Sequence, residues 1–209
     1  MTVPDGVLRV WVFIDAQNLY RDTRRAFFTD TDPSPHGQID PVKFATLLTE
    51  MGTAPPGQTR VLEECRLYTG LPSPDRDPKS NAAMLRQKAS WEASGAKVFT
   101  RPLRYPKTWP TQPAEEKGVD VELAVDLVFN AARQNFDVGI VASTDTDLVP
   151  ALQAVCNLHR AWGRPRVEVV AWKAVKKRLR VPDVPIWCHL LEQRHYQMVH
   201  DDTHYGAAS

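Results

Sequence analysis

The sequence predicts an α/β protein in which a mostly parallel sheet is covered by helices on both faces. Three observations predict it. Strand-like runs alternate with stretches of helical periodicity, the connections between them are short, and the first strand-like run is apolar almost throughout, as in a strand buried on both faces. That run is Val7 to Ile14, β-branched and aromatic, and it ends at Asp15. A helix is expected next, capped by Asn18 and continuing to about Phe28, because asparagine accepts well from the free N–H groups of a helix start. Asp40-Pro41 opens a second helix over Val42 to Met51, with proline in the first turn, where its missing N–H costs nothing. Arg60 to Tyr68 reads as a strand, Asn81 to Ser94 as a helix stopped by Gly95, and Lys97 to Arg101 as a short strand. A proline-rich stretch, Pro102 to Pro113, interrupts the alternation. It resumes with a helix over Val119 to Gln134, a strand over Val138 to Ala142, a helix over Leu148 to Leu158 and a strand over Val167 to Trp172. From Pro185 there is a short apolar run and then a polar tail. The expectation is one domain over residues 1–209, its core at about 7–190 and the tail at about 191–209.

Composition narrows the class. A chain of 209 residues is long enough for one full α/β core, and 43% hydrophobic with 24% charged residues is ordinary for a globular protein. A net charge of +1 excludes a strongly basic protein that coats nucleic acid, though it leaves local patches open. Cys65, Cys156 and Cys188 are an odd number without short pairing, so neither a disulfide framework nor a zinc knuckle is expected, and a reducing, cytoplasmic setting fits. No leader-like segment and no apolar run of membrane-spanning length stands out.

The chemistry is expected where acids fall at strand exits. In doubly wound sheets ligands gather beyond the carboxyl ends of the strands. Asp15 stands at such an end; the bland reading is a turn or capping carboxylate. Asp120 projects onto the helical stripe of Ala124, Leu127 and Ala131, where an ionised carboxylate needs a metal or strong donors to offset several kcal/mol of desolvation; the bland reading is a wet acid complementing the helix dipole. Glu122 and Asp126 project elsewhere, to be solvated or paired with Arg133 or another base. In VASTDTDL, Asp145 and Asp147 leave a strand and enter a helix, with Asp147 expected to cap that helix, while Ser143 and Thr144 add hydroxyls for a phosphate, a water or the turn backbone. Oxygen ligands without histidine or cysteine suit Mg²⁺ or Mn²⁺, and such a site handles phosphate chemistry. His159, His189, His195, His200 and His204 share no zinc-like spacing and are read as surface or packing residues, and His36, in the early loop, is assigned no role.

FIDAQNLY, KGVDVELAVDLV and ASTDTDL, taken together, resemble the three signature segments of NYN domains, which are PIN-like ribonucleases. The resemblance implies a three-layer α/β/α sandwich with a central, mostly parallel PIN-like sheet, and a metal-dependent endoribonuclease. It implies Asp15, Asp120 and Asp145 as catalytic acids binding Mg²⁺ or Mn²⁺, Asp147 as a further metal ligand, and Asn18 and Asp126 in support beside Ser143 and Thr144. Thr144, Thr146 and Leu148 stand where the family has Gly, Ser and Phe in its last motif, a change that spares every carboxylate and bears on access to the metal.

Two basic stretches are expected to hold substrate. In the first, Arg104, Lys107 and Lys117 are interleaved with Tyr105 and Trp109; the second, Lys173 to Arg180, contains Lys176 and Lys177. Cations would contact phosphates while the aromatics stack on unpaired bases, which favours single-stranded RNA; the bland reading is a solvated basic face. A protein partner or a homo-oligomer is compatible with the sequence. Two rival readings stand beside the nuclease. One is an RNA-binding PIN-like module that cuts little or not at all. The other is a phosphatase of the haloacid dehalogenase type, which needs a second Asp two residues after the first, where this chain has Gln17.

Overall fold

The computed structural model describes residues 6–206; residues 1–5 and the last three residues of the expected tail, 207–209, lie outside them. Six strands form one all-parallel sheet: β1 (Val7–Asp15), β2 (Thr59–Leu71), β3 (Lys97–Pro102), β4 (Val138–Ala142), β5 (Arg166–Trp172) and β6 (Trp187–Leu191), in the order β3-β2-β1-β4-β5-β6. The expected α/β architecture, helices on both faces of a parallel sheet, is what forms. β1 is central because its side chains alternate between two apolar faces, and both are filled. Val10, Val12 and Ile14 pack with α2 (Pro41–Met51), α3 (Pro78–Ala93) and α6 (Gln193–Val199), alongside α1 (Ala16–Phe27). Trp11 and Phe13 pack with α4 (Val119–Ala132) and α5 (Val149–Trp162). This accounts for the nearly uninterrupted apolar run that opens the chain.

The strand order reverses direction between β1 and β4. From β1 the chain steps outward to β2 and β3 on one side, then crosses to β4, β5 and β6 on the other. Helices leave β1 and β4 on opposite faces, which opens a crevice at their carboxyl ends. Asp15 and Ser143 border that crevice, and the rest of the candidate site is built around it.

The short apolar run after Pro185 becomes a strand of the core, and it is the expected polar tail after it that differs. Trp187–Leu191 adds the sixth strand, with Val170 paired to His189, and α6 follows with Tyr196 and Val199 buried. Tyr196 packs edge-on against Phe28 and Trp172, and its hydroxyl accepts from the Gly37 N–H at 3.0 Å. The three cysteines are free, Cys65 and Cys156 buried. No helix among the described residues is long and apolar enough to cross a membrane.

Candidate functional site

The three acidic segments converge on the sheet edge, and the capping roles there fall on residues earlier in the chain than expected. Asp15, only 6% exposed, is itself the N-cap of α1, since its Oδ1 accepts from the Asn18 N–H at 3.0 Å. Asn18 is therefore not the cap. Its side-chain oxygen reaches across the crevice to accept from the Thr144 N–H at 2.9 Å, tying the β4 exit to α1. The Thr144 hydroxyl has one proton for two nearby acceptors, Asp22 Oδ2 at 2.5 Å and Asn18 Oδ1 at 3.2 Å, and the shorter contact holds it to the buried Asp22. The Ser143 hydroxyl donates to Asp15 Oδ2 at 3.2 Å and accepts from the Asp145 N–H at 3.0 Å. Asp145 in turn caps the 3-10 turn Thr146–Leu148 through the Asp147 N–H at 3.0 Å, whereas α5 begins at Leu148 without a side-chain cap, so Asp147 does not cap it as expected. Asp147 is exposed. Capping does not exhaust these carboxylates, because each oxygen carries two lone pairs.

Glu116 is the acid that sequence reasoning missed. The loop after β3 folds back through a bridge between Arg104 and Glu115, and this places Glu116 Oε1 within 2.5 Å of the Gly70 N–H at the end of β2. A Cβ on Gly70 would lie 2.8 Å from Glu116 Cγ and 2.2 Å from Leu103 Cδ2, so any side chain there would displace Glu116 and Leu103. Burial raises the Glu116 pKa above the ordinary glutamate value; the Gly70 N–H and Arg21 oppose this, and the negative charge of Asp120 adds to it. Asp15 shows the same frustration more strongly. Burial, reinforced by the charges of Glu116 and Asp145 and opposed by the Asn18 N–H and Ser143, pushes it up to about 6. Asp145, Asp15, Glu116 and Asp120 thus follow one another as mutually repelling neighbours. The one indication of such an acid in the sequence is its place two residues before Gly118, which adopts the left-handed conformation (φ 77°) that turns the loop into α4.

The remaining expected residues are dispersed. Asp120 lies half-buried in the first turn of α4, at the margin of the buried stripe, which consists of Val119, Leu123, Leu127 and Ala131; Val121, Val125 and Phe129 face outward instead. Asp126, expected in support, is held elsewhere. Its Oδ2 accepts from Arg66 Nε at 2.7 Å and from the Tyr68 hydroxyl, and its Oδ1 accepts from Asn130 at 2.8 Å. Six residues, about 9 Å of helix, separate it from Asp120. Asp126 is paired instead with Arg66, the other base that the sequence left open. Tyr105 is half-buried, stacks edge-on with Trp109 at 4.9 Å and accepts from the Ser73 N–H at 2.9 Å, so that pair packs on its own loop. Arg104, Lys107, Lys117, Lys176 and Lys177 are exposed. Lys117 adjoins Glu116 directly. Among the histidines, His189 is buried with Nε2 2.8 Å from Glu168, and His195 closes a capping box with Glu192.

A sequence profile described as the NYN domain matches residues 9–181. The chain belongs to the NYN domain family. The match spans all three acidic segments and five of the six strands. NYN domains are generally nucleases of PIN-like fold and typically use divalent metals. A solved structure of a protein of unknown function from Vibrio parahaemolyticus is similar to this chain, with a TM-score of 0.53 at 17% identity over 82% of this chain and 85% of the other, a likeness of fold. No protein of curated function matches the sequence.

The family thus brings a divalent ion into question, and the donor chemistry fits one. Asp15, Glu116, Asp120 and Asp145 offer hard carboxylate oxygens with the Ser143 hydroxyl beside them, and no thiol or imidazole adjoins them in these contacts. Their mutual repulsion is what a cation would relieve. Among the described residues, however, no three such side chains are drawn together closely enough to form a finished ligand cluster.

Proposed function

We propose that this NYN protein is a metal-dependent endoribonuclease that hydrolyses phosphodiester bonds of single-stranded RNA at the crevice between β1 and β4. The observation that carries the reading is Asp15, a carboxylate buried at the strand-order reversal and pushed up to about 6 by burial and by neighbouring acids instead of being relieved by a base. Asp15, Glu116, Asp120 and Asp145 would hold Mg²⁺ or Mn²⁺, with Asp147 free at the rim. When bound, the cation supplies charge stabilisation to the phosphoryl oxygens and acidifies a water.

The chain's own side chains do the rest. Ser143 fixes one Asp15 oxygen and the Asp145 backbone together. Asn18 and Thr144 lock the β4 exit to α1, so the two acidic segments keep their spacing. Lys117, next to Glu116, and Arg21, whose charge acts on Glu116, are placed to meet phosphate oxygens entering an otherwise acidic crevice. Arg104, Lys176 and Lys177 are exposed for more distant phosphates, while Tyr105 and Trp109 offer less to bases than their spacing suggests, since they already pack together. A reducing cytoplasm suits the free cysteines.

The test is incubation of a labelled mixed RNA pool with Mg²⁺, Mn²⁺ or EDTA, using wild type and Asp15→Asn. Products should need the metal, vanish with EDTA and fall on the order of 10²–10³-fold in the variant, the equivalent of several kcal/mol of lost charge stabilisation. Equal activity in the two proteins rejects the site. The second reading, an RNA-binding module with little cleavage, is favoured by one observation, that Asp15 and Asp145 are engaged as caps; binding without products would select it.

A further inference from the structure

A cavity of about 420 Å³ opens beside the carboxylates, between α1 and α3 on the face of the sheet that carries α2 and α6. Its volume falls in the range of small-molecule sites, roughly 300–1,000 Å³. It adjoins the acidic site through Glu116, the one carboxylate of that site among its lining residues. Its walls are Ile14, Leu67, Met84 and Leu103, with the rings of Tyr20 and Trp91. Side-chain amides of Gln17, Gln38 and Gln87 stand among them, the last two joined by a 3.0 Å hydrogen bond. At the far end the carbonyl of Tyr205 is clamped by Arg86 Nε at 2.8 Å, so the segment His204–Gly206 closes a wall.

We propose that this cavity is a nucleobase subsite, taking the unpaired base of the nucleotide whose phosphate lies at the carboxylates. Two features select a base over other ligands. Apart from Glu116 at the mouth, the lining residues hold no acid, lysine or arginine, so the cavity suits a neutral group. Aromatic and aliphatic walls interrupted by primary amides match a flat heterocycle with donors and acceptors on its edge, the way splayed single-stranded bases are read. Occupation of the cavity also explains how an acidic crevice retains RNA: the base anchors the nucleotide through an uncharged contact, leaving the phosphate to the cation and Lys117.

This inference rests on the nuclease reading for its phosphate, and the experiment separates the two. With Mg²⁺ present, isothermal titration of the full chain compares uridine and adenosine 5′-monophosphates with ribose 5-phosphate, which lacks a base. The nucleotides should bind at least tenfold more tightly, and Ala83→Phe, which fills the cavity from α3, should erase the difference. RNAs carrying a single abasic residue at successive positions should be cut at least tenfold more slowly when one position beside the cleaved bond is abasic, and Ala83→Phe should be insensitive to that change. Nucleotide preference abolished by Ala83→Phe in a protein that cuts no RNA would keep the subsite and remove the nuclease. Cleavage by wild type and Ala83→Phe at equal rates, or equal binding of nucleotides and ribose 5-phosphate, would overturn the subsite and leave the nuclease standing. The wild-type binding comparison decides the matter even if Ala83→Phe fails to fold.

Discussion

Asp15 and Glu168 are carboxylates of almost equal burial, 6% and 3% exposed, at different ends of the same sheet. Burial pushes both toward the neutral form, yet their pKa values move in opposite directions. Glu168, near the start of β5, is held below the ordinary glutamate range. Burial opposes this but is outweighed by His189 and by Arg60, which donates to both carboxylate oxygens at 3.0 Å. Asp15, at the end of β1, has two hydrogen-bond donors and, among the described residues, no ion-pair partner, so burial, with the acids beside it, pushes it up to about 6. The amino-terminal half of the sheet thus compensates its buried charge internally, whereas the carboxyl-terminal edge leaves its charge for something else to compensate. Gly52 belongs to the first arrangement: a Cβ there would lie 1.9 Å from Arg60 Nη1, so the end of α2 gives way to the guanidinium.

The comparison is broken most directly by the same chemical change at both positions. Glu168→Gln removes the charge that answers a buried guanidinium and should cost about 3 kcal/mol of unfolding free energy at pH 7. Asp15→Asn should do the reverse. Asparagine keeps the cap on α1 and can still meet the Ser143 hydroxyl, while the difference between the ordinary 3.8 and about 6 corresponds to a gain of up to about 3 kcal/mol at neutral pH. Because the folded value lies above the unfolded one, this gain should be absent below about pH 4 and grow as the pH rises to about 6. For Glu168 the sign is the usual one for an acid: its contribution is present above 4.5 and fades as the pH falls through its depressed folded value. Urea unfolding of the three proteins at pH 4, 5, 6 and 7, without metal, measures both trends. Equal destabilisation by the two substitutions would dissolve the contrast.

The same titration should govern the cation. A protonated Asp15 is no ligand, so Mn²⁺ binding should release a proton from it and weaken roughly tenfold for each unit the pH falls below about 6. Calorimetry in buffers of different ionisation enthalpy counts that proton. A pH-independent affinity between 5 and 7 would mean that Asp15 does not bind the ion.

Much of this arrangement is legible in the chain, and the parts that are not share a cause. The unbroken apolar run of Val7–Ile14 announces a two-sided strand, and Asp15 at its end announces the edge where ligands gather. The carboxyl-terminal strand was harder to read because Trp187–Leu191 is short and followed by charged residues; Tyr196 and Val199 acquire their burial by docking onto elements far back in the sequence. Helix α4 carries apolar residues on two sides, so periodicity alone could not choose between the stripe through Asp120 and the one through Leu123. Glu116 reaches the site only when the Arg104–Glu115 bridge closes over Gly70, and Asp126 is neutralised by an arginine 60 residues away. Local pattern places the ends of elements; contacts across the fold decide which acid each base answers.

The smallest effect tests the finest of these assignments. Asp145 caps the 3-10 turn and Asp147 only lends its N–H, although both stand in one short loop and a cap was expected of the second. Removing a capping side chain typically costs ~1 kcal/mol, and an exposed substitution away from such a feature stays within about 0.5 kcal/mol. Asp145→Ala should therefore lower stability by ~1 kcal/mol and Asp147→Ala hardly at all, in unfolding measured at pH 7 without metal. With Mn²⁺ the two should separate further, because Asp145 acts on Asp15 directly and Asp147 stands at the rim. Equal losses in the two variants would make the loop a single unit and would return to Asp147 the role that its position before Leu148 suggests.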